Sequence, residues 1–298
     1  METNGSQNYL SPEVLASISG LEYKARLIVE GFLTGAHRSP YRGFSAEFAQ
    51  HREYVPGDDL RHLDWKVWGR TDRLYVKQYD AETNFDCLIT LDCSASMGFS
   101  SAPLSKAEYG KHVAAALAHL ILLQRDSVGL CIVSQNETNL APSSSTARIK
   151  ELIHLLENAE PTGASSIGKA LSGLSERSGR RKVIVVISDF LDEEQSLLHG
   201  LRLLHRSRHD VLLVHLLDPA EVTFPFNDMT SFQGLENEGT LKIQPGRLRV
   251  AYLQELKRHV SMVRNAAREL KMDYLPMVTS QSLGEILSAY LVTRRARK

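Results

Sequence analysis

Four runs constrain this chain more than anything else in it: "CLITLDC" from Cys87, "SVGLCIVS" from Ser127, "KVIVVISD" from Lys182 and "DVLLVHLLD" from Asp210. Each is almost continuously apolar where a half-exposed strand would alternate, so each must be covered on both faces. Between and around them the period switches to that of a helix. Val113, Leu117, Leu120 and Ile121 share one helical face, and Ile149, Leu152, Ile153 and Leu156 share another. "EEQSLLHGLRLLHR", "RVAYLQELKRHVSMVRNAAREL" and "SLGEILSAYL" supply further helices, and "DYLPMV" a further strand. Alternating β and α units of this kind predict an α/β fold with a mostly parallel, doubly wound, Rossmann-like sheet.

The remaining text divides the chain at about residue 84. From Ser11 to Leu33 the apolar positions Val14, Ile18, Leu21, Ala25, Ile28 and Phe32 predict one amphipathic helix, opened by Ser11 and Pro12. Residues 34 to 64 are turn-rich and charged, and "DRLYVKQYDAE" reads as a strand. We therefore expect residues 1–83 to form an N-terminal helix and extended segment that pack on an α/β domain of residues 84–298. Between Pro219 and Pro245 the βα rhythm lapses around a turn signal at Asn237, Glu238 and Gly239, which predicts an inserted antiparallel hairpin at about 219–245.

Charge and cysteine usage narrow the partners. Lysine plus arginine and aspartate plus glutamate each number 35, so no bulk field draws the chain to nucleic acid or to an anionic membrane. No uncharged apolar run approaches the ~20 residues that span a bilayer. The three cysteines, Cys87, Cys93 and Cys131, show neither C-x-x-C pairing nor framework spacing, as expected of buried thiols in a reducing compartment. A cytoplasmic protein without membrane insertion is the expectation.

Chemistry gathers where the apolar runs end. Asp92, Ser94 and Ser96 follow the first run in a D-x-S-x-S pattern, Asp189 ends the third, and Ser165 and Ser166 sit in a glycine-containing loop ahead of a helix. In an open parallel sheet, ligands bind beyond the carboxyl ends of the strands. Hard oxygen donors there suit Mg²⁺ or Mn²⁺. The same serines and aspartates could instead cap the turns in which they lie.

D-x-S-x-S with a later G-x-[ST] loop and a strand-terminal aspartate resembles the metal-ion-dependent adhesion site of von Willebrand factor A domains. Upstream, "HRSPYRGFSAEFAQHREYVPGDDLRHLDWKVWGRTDRLYVKQYDAETN" is similar to the signature of the bacterial DUF58 family, which places such a segment before an A-type domain. The resemblance implies that Ser94, Ser96 and Ser165 hold the ion directly and that Asp92 and Asp189 act directly or through water. A-type domains usually carry threonine where this chain has Ser165, and Ser166 is an alternative to it. The resemblance also implies a non-catalytic interaction module, in which an aspartate or glutamate of a protein partner completes the ion's coordination. It further implies a MoxR-type AAA+ ATPase as a partner in maturation or assembly of a client complex.

Enzymatic readings are weaker on chemical grounds. "GASSIGKA", from Gly163, matches part of a phosphate-binding loop, but Ala170 stands where a hydroxyl should meet Mg²⁺, and the loop follows a helical pattern. A G-x-S-x-G elbow is absent, and no histidines form H-E-x-x-H. A Mg²⁺-dependent hydrolase of nucleotides or phosphoesters using Asp92 and Asp189 is the alternative. It would want a second aspartate at position 94, where serine stands.

Overall fold

The computed structural model describes residues 11–36, 50–54, 65–71, 73–78, 86–135, 137–164, 166–177, 181–235 and 239–284. Its contacts divide into two units, Met1–Ala36 with Phe85–Lys298, and His37–Asn84. The expected N-terminal helix is two helices, α1 (Pro12–Ser17) and α2 (Leu21–Ala36). The break falls at Gly20, whose φ of +84° a side-chain-bearing residue adopts only with strain. That break shifts the phase of the buried stripe, so Leu15 is buried where the periodicity had placed Val14. Leu15, Leu21, Ala25 and Ile28 join the same apolar core as the central sheet.

The smaller unit pairs β1 (Gln50–Glu53) with β2 (Tyr75–Gln78) in an antiparallel ladder and contains α3 (Trp65–Thr71). The strand expected in "DRLYVKQYDAE" is thus real over four residues. The segment's last residues lie outside those described.

In the larger unit the four apolar runs become β3 (Asp86–Asp92), β4 (Ser127–Val133), β6 (Val183–Ser188) and β7 (Asp210–Leu217), joined by β5 (Thr138–Ser143) and β10 (Asp273–Val278). They form one six-stranded sheet in the order β10-β7-β6-β3-β4-β5, parallel except for β5. Edge strand β5 escapes the sequence pattern because its text, "TNLAPS", contains a proline and little apolar surface. An edge strand tolerates both.

Alternation along each strand serves two apolar cores. Ile89, Leu91, Leu130, Ile132, Ile187 and Leu216 face the side covered by α2, α4 (Lys106–Leu123) and α5 (Arg148–Glu157). Leu88, Cys131, Ile184, Val186 and Leu213 face the side covered by α6 (Ile167–Arg177), α7 (Glu194–Arg206) and α9 (Pro245–Glu269). This two-sided covering is why the strands read as unbroken apolar text. The three cysteines are buried without a disulfide, and burial pushes the Cys87 and Cys93 thiols up to about 12.

After β7 comes a one-turn helix, α8 (Pro219–Thr223), and then the expected hairpin, β8 (Thr230–Gln233) with β9 (Thr240–Ile243). No helix among the described residues is long and apolar enough to cross a membrane. The helix expected in "SLGEILSAYL" falls almost wholly outside the described residues, as does the basic C-terminal tail.

Helices α6 and α7 touch through glycine. A Cβ at Gly200 would lie 2.5 Å from the Gly168 carbonyl oxygen, and one at Gly168 would lie 2.5 Å from the Ser196 carbonyl carbon. Intrinsic helix propensity alone would favour Gly200→Ala by about 1 kcal/mol. Because the clash is with backbone, we expect the opposite sign in urea unfolding, a loss of about 2 kcal/mol.

Two buried histidines predict acid lability. Burial, with the neighbouring Lys24 and Lys111, pushes His112 down to about 3, and burial with His259 does the same to His215. The unfolded chain therefore takes up protons below about 6.5 that the folded chain refuses. Stability is full above that pH and falls on acidification towards 3, by about 1.4 kcal/mol per unit for each histidine. Urea unfolding at pH 7 and at pH 5 should show the loss, and His112→Met should reduce its slope by about one proton.

Candidate functional site

Counted in chain order, the strands of the main sheet run 3-2-1-4-5-6, the doubly wound order whose reversal lies between the first and the fourth. Here those two are β3 and β6. From β3 the chain turns to α4 on one face of the sheet, and from β6 to α7 on the other, so a crevice opens between their carboxyl ends. Register fills it with polar groups. Leu91 pairs with Ile187, which sets Asp92 beside Ser188 and leaves Asp189 one step further out.

The loop after β3 folds back on Asp92. Its Oδ1 accepts the Ser94 backbone N–H at 2.9 Å, and its Oδ2 accepts the Ser188 hydroxyl at 2.6 Å. A one-turn 3-10 helix, Ala95–Gly98, brings the Ser96 hydroxyl to 3.0 Å from that of Ser94. The Ser96 side chain, on the same loop, favours the ionised form of Asp189. Hydrogen bonds thus link Asp92, Ser94 and Ser96, with Asp189 beside them at the end of the neighbouring strand, and Asp92, Ser94 and Asp189 are buried.

The second loop is pinned to the first by backbone. Thr162 N–H donates to Cys93 O at 3.1 Å, and Ala95 N–H donates to Gly163 O at 2.9 Å. Gly163 has φ +67°, and a Cβ there would collide with the Gln135 side chain. Ser165 lies outside the described residues. Ser166 is engaged elsewhere: its hydroxyl donates to Asp192 Oδ2 at 2.9 Å and accepts the Lys169 N–H at 3.3 Å. It caps α6 and is not part of the chain around Asp92.

The resemblance to a phosphate-binding loop dissolves in the same place. The element that precedes it is the helix α5, whereas a phosphate-binding loop follows a strand.

A residue the sequence reading passed over dominates the electrostatics. Lys106, the first residue of α4, is fully buried, with its Nζ 2.7 Å from Asp189 Oδ2 and 2.6 Å from Glu221 Oε1. Glu221 Oε2 accepts the Asp218 N–H at 2.8 Å. Buried Asp218 accepts the Ser101 N–H at 2.8 Å, together with the Ser101 hydroxyl, and so ties α8 to the loop after β3. A signal for Lys106 existed. Ser105 and Glu108 form a capping box that fixes the start of α4, and the helix dipole disfavours a lysine in the first turn unless an acid partners it. Ser188 carried no comparable mark.

Charge is crowded here. Burial and then the Asp189 carboxylate push the Asp92 carboxyl up to about 6, against the hydrogen bonds from Ser188 and Ser94. Burial also works against ionisation of Asp189, but Lys106 and the hydrogen bonds from Leu191 N–H and Ser96 outweigh it. They hold that carboxyl below the usual carboxylate range. Both Asp189 oxygens are taken, Oδ2 by Lys106 and Oδ1 by the Leu191 N–H at 3.1 Å.

These donors fit a hard divalent cation. They are oxygens throughout, and a carboxylate whose ionisation burial and a like charge oppose gains from a nearby positive charge. Among the described residues no three histidine, cysteine or acidic side chains converge as metal ligands, and a cation here would have to draw on the hydroxyls as well. Ser96 opens onto a cleft of about 1230 Å³, whose lining includes Phe99, Lys106, Glu221, Phe224 and Tyr252.

Comparison with known proteins agrees with the family read from the sequence. Uncharacterized protein Rv1480 of Mycobacterium tuberculosis is 28% identical over 220 residues, which cover 72% of this chain and 68% of the relative. Uncharacterized protein YeaD of Bacillus subtilis is 24% identical over 151 residues, 50% of this chain and 36% of the relative. Among solved structures, BatB from Bacteroides thetaiotaomicron superposes with a TM-score of 0.49 at 18% identity, over 72% of this chain and 100% of that one. The SpRpn10 VWA domain does so with a TM-score of 0.41 at 14% identity, over 69% and 94%. The model of the family described as Protein of unknown function DUF58 matches residues 50–262, well over half of the sequence, and the chain belongs to that family.

Proposed function

We propose that this chain is a non-catalytic protein-interaction module whose partner binding depends on a divalent cation, Mg²⁺ or Mn²⁺. The observation that carries this reading is the hydrogen-bonded set Asp92, Ser94 and Ser96 beside Asp189 at the switch point of the sheet, opening at Ser96 onto the cleft. Asp92, Ser94 and Ser96 would hold the ion, with Ser165 of the adjoining loop as a further hydroxyl. Asp189, held by the Lys106 ammonium and the Leu191 N–H, would act directly or through water. When bound, the cation supplies a coordination position that an aspartate or glutamate of a protein partner can fill.

Two features of the site favour the non-catalytic reading. Asp189 is neutralised by Lys106 and poorly suited to proton transfer, and position 94 offers a hydroxyl in place of a second carboxylate. The likeness to the DUF58 family supports a MoxR-type AAA+ ATPase as the partner, with the chain as an adaptor to a client complex.

Calorimetric titration with Mg²⁺ and Mn²⁺ tests the site directly. Asp92→Asn keeps the acceptor for Ser188 and removes the charge. It should fold normally and lose cation affinity by roughly a hundredfold, and Ser96→Ala should lose about tenfold. Binding to a MoxR-type ATPase, measured by surface plasmon resonance, should vanish with EDTA and in Asp92→Asn. Partner binding that survives both treatments would sink the proposal, and Mg²⁺-dependent turnover of ATP or a generic phosphoester would favour the hydrolase reading.

A further inference from the structure

We infer that Lys106 is a built-in counter-charge that sets the strength of this cation site, keeping affinity for the ion alone low so that ion and partner carboxylate bind together. The inference rests on the metal-dependent reading above. Three carboxylates, Asp92, Asp189 and Glu221, meet in this part of the fold, and one ammonium serves two of them. Lys106 therefore cancels negative charge that would otherwise be available to a divalent ion. It also holds Asp189 by Oδ2, so that this carboxylate is spoken for by a cation of the chain itself. The anionic group that shares hydrogen bonds with the site's hydroxyls and with the Ser94 N–H is Asp92. An incoming carboxylate from a partner brings the negative charge that the site lacks.

The burial of this ammonium argues that its place is functional. Side-chain exposures are 1% for Lys106, 2% for Asp189 and 15% for Glu221, and a buried ion pair is rarely more stabilising than apolar side chains of the same volume. Packing needs at this position could be met by methionine or leucine. A fixed positive charge beside Asp189 could not.

A purely structural Lys106 and a charge-setting Lys106 predict opposite signs. Lys106→Gln removes the charge while keeping a donor, and Lys106→Arg keeps the charge. By titration calorimetry, Lys106→Gln should bind Mg²⁺ about tenfold more tightly than the wild type, and Lys106→Arg within about twofold of it. In thermal melts, Mg²⁺ should raise the melting temperature of Lys106→Gln more than that of the wild type, since the ion replaces the lost ammonium. If Lys106→Gln is unfolded without cation, recovery of its circular dichroism on adding Mg²⁺ reports the same coupling. Equal or weaker Mg²⁺ binding by Lys106→Gln, or a chain that stays unfolded at every Mg²⁺ concentration, overturns the role of Lys106 alone. Absence of Mg²⁺ and Mn²⁺ binding in the wild type overturns the metal reading itself.

Discussion

The register between β3 and β6 governs everything at the carboxyl edge of the sheet. With Leu91 opposite Ile187, the strands deliver Asp92, Ser188 and Asp189 within reach of one another. A slip of one residue would turn each apolar side chain to the wrong core and carry the two aspartates apart. The site therefore draws its precision from the burial of residues such as Ile89, Leu91, Val186 and Ile187, whose side chains carry no polar group. Packing on both faces fixes the register, and the register assembles the chemistry.

That dependence explains why some features were legible in the sequence and others were not. Unbroken apolar runs reveal strands covered on both sides, and so the fold class and the sheet edge where polar groups gather were readable from Cys87, Lys182 and Asp210 onward. Features set by single backbone angles were not. Gly20 splits the N-terminal helix through one positive φ, which leaves the apolar periodicity on either side intact. Strand β5 is defined by its pairing with β4, through Leu140 opposite Leu130, and its own composition argues against it. The second loop shows the same limit at the site. Ser165 and Ser166 are equivalent as text, and only the position of Asp192 reveals that Ser166 is committed to capping α6.

Lys106 eluded the sequence reading for a different reason. Its partners, Asp189 and Glu221, lie 83 and 115 residues away, and nothing local announces their approach. The one local anomaly, a cation in the first turn of a helix, has meaning only once the capping box has located that turn. Long-range charge pairing is the part of a site that patterns of periodicity and spacing cannot register.

Lys106 also joins structures that would otherwise be independent. Through Glu221 it reaches α8, and Asp218 at the head of that helix holds the loop that follows Ser96. The wall of the cleft and the oxygen donors therefore share one buried ionic network. Breaking a buried network by removing a single partner leaves an uncompensated charge, which costs about 3–5 kcal/mol, whereas substituting another positive charge need not. A divalent ion within reach of Asp92 adds positive charge to a region where acids outnumber the one buried ammonium. Such an arrangement places donor geometry, cleft shape and charge balance under common control, as the proposed joint recognition of ion and carboxylate would require.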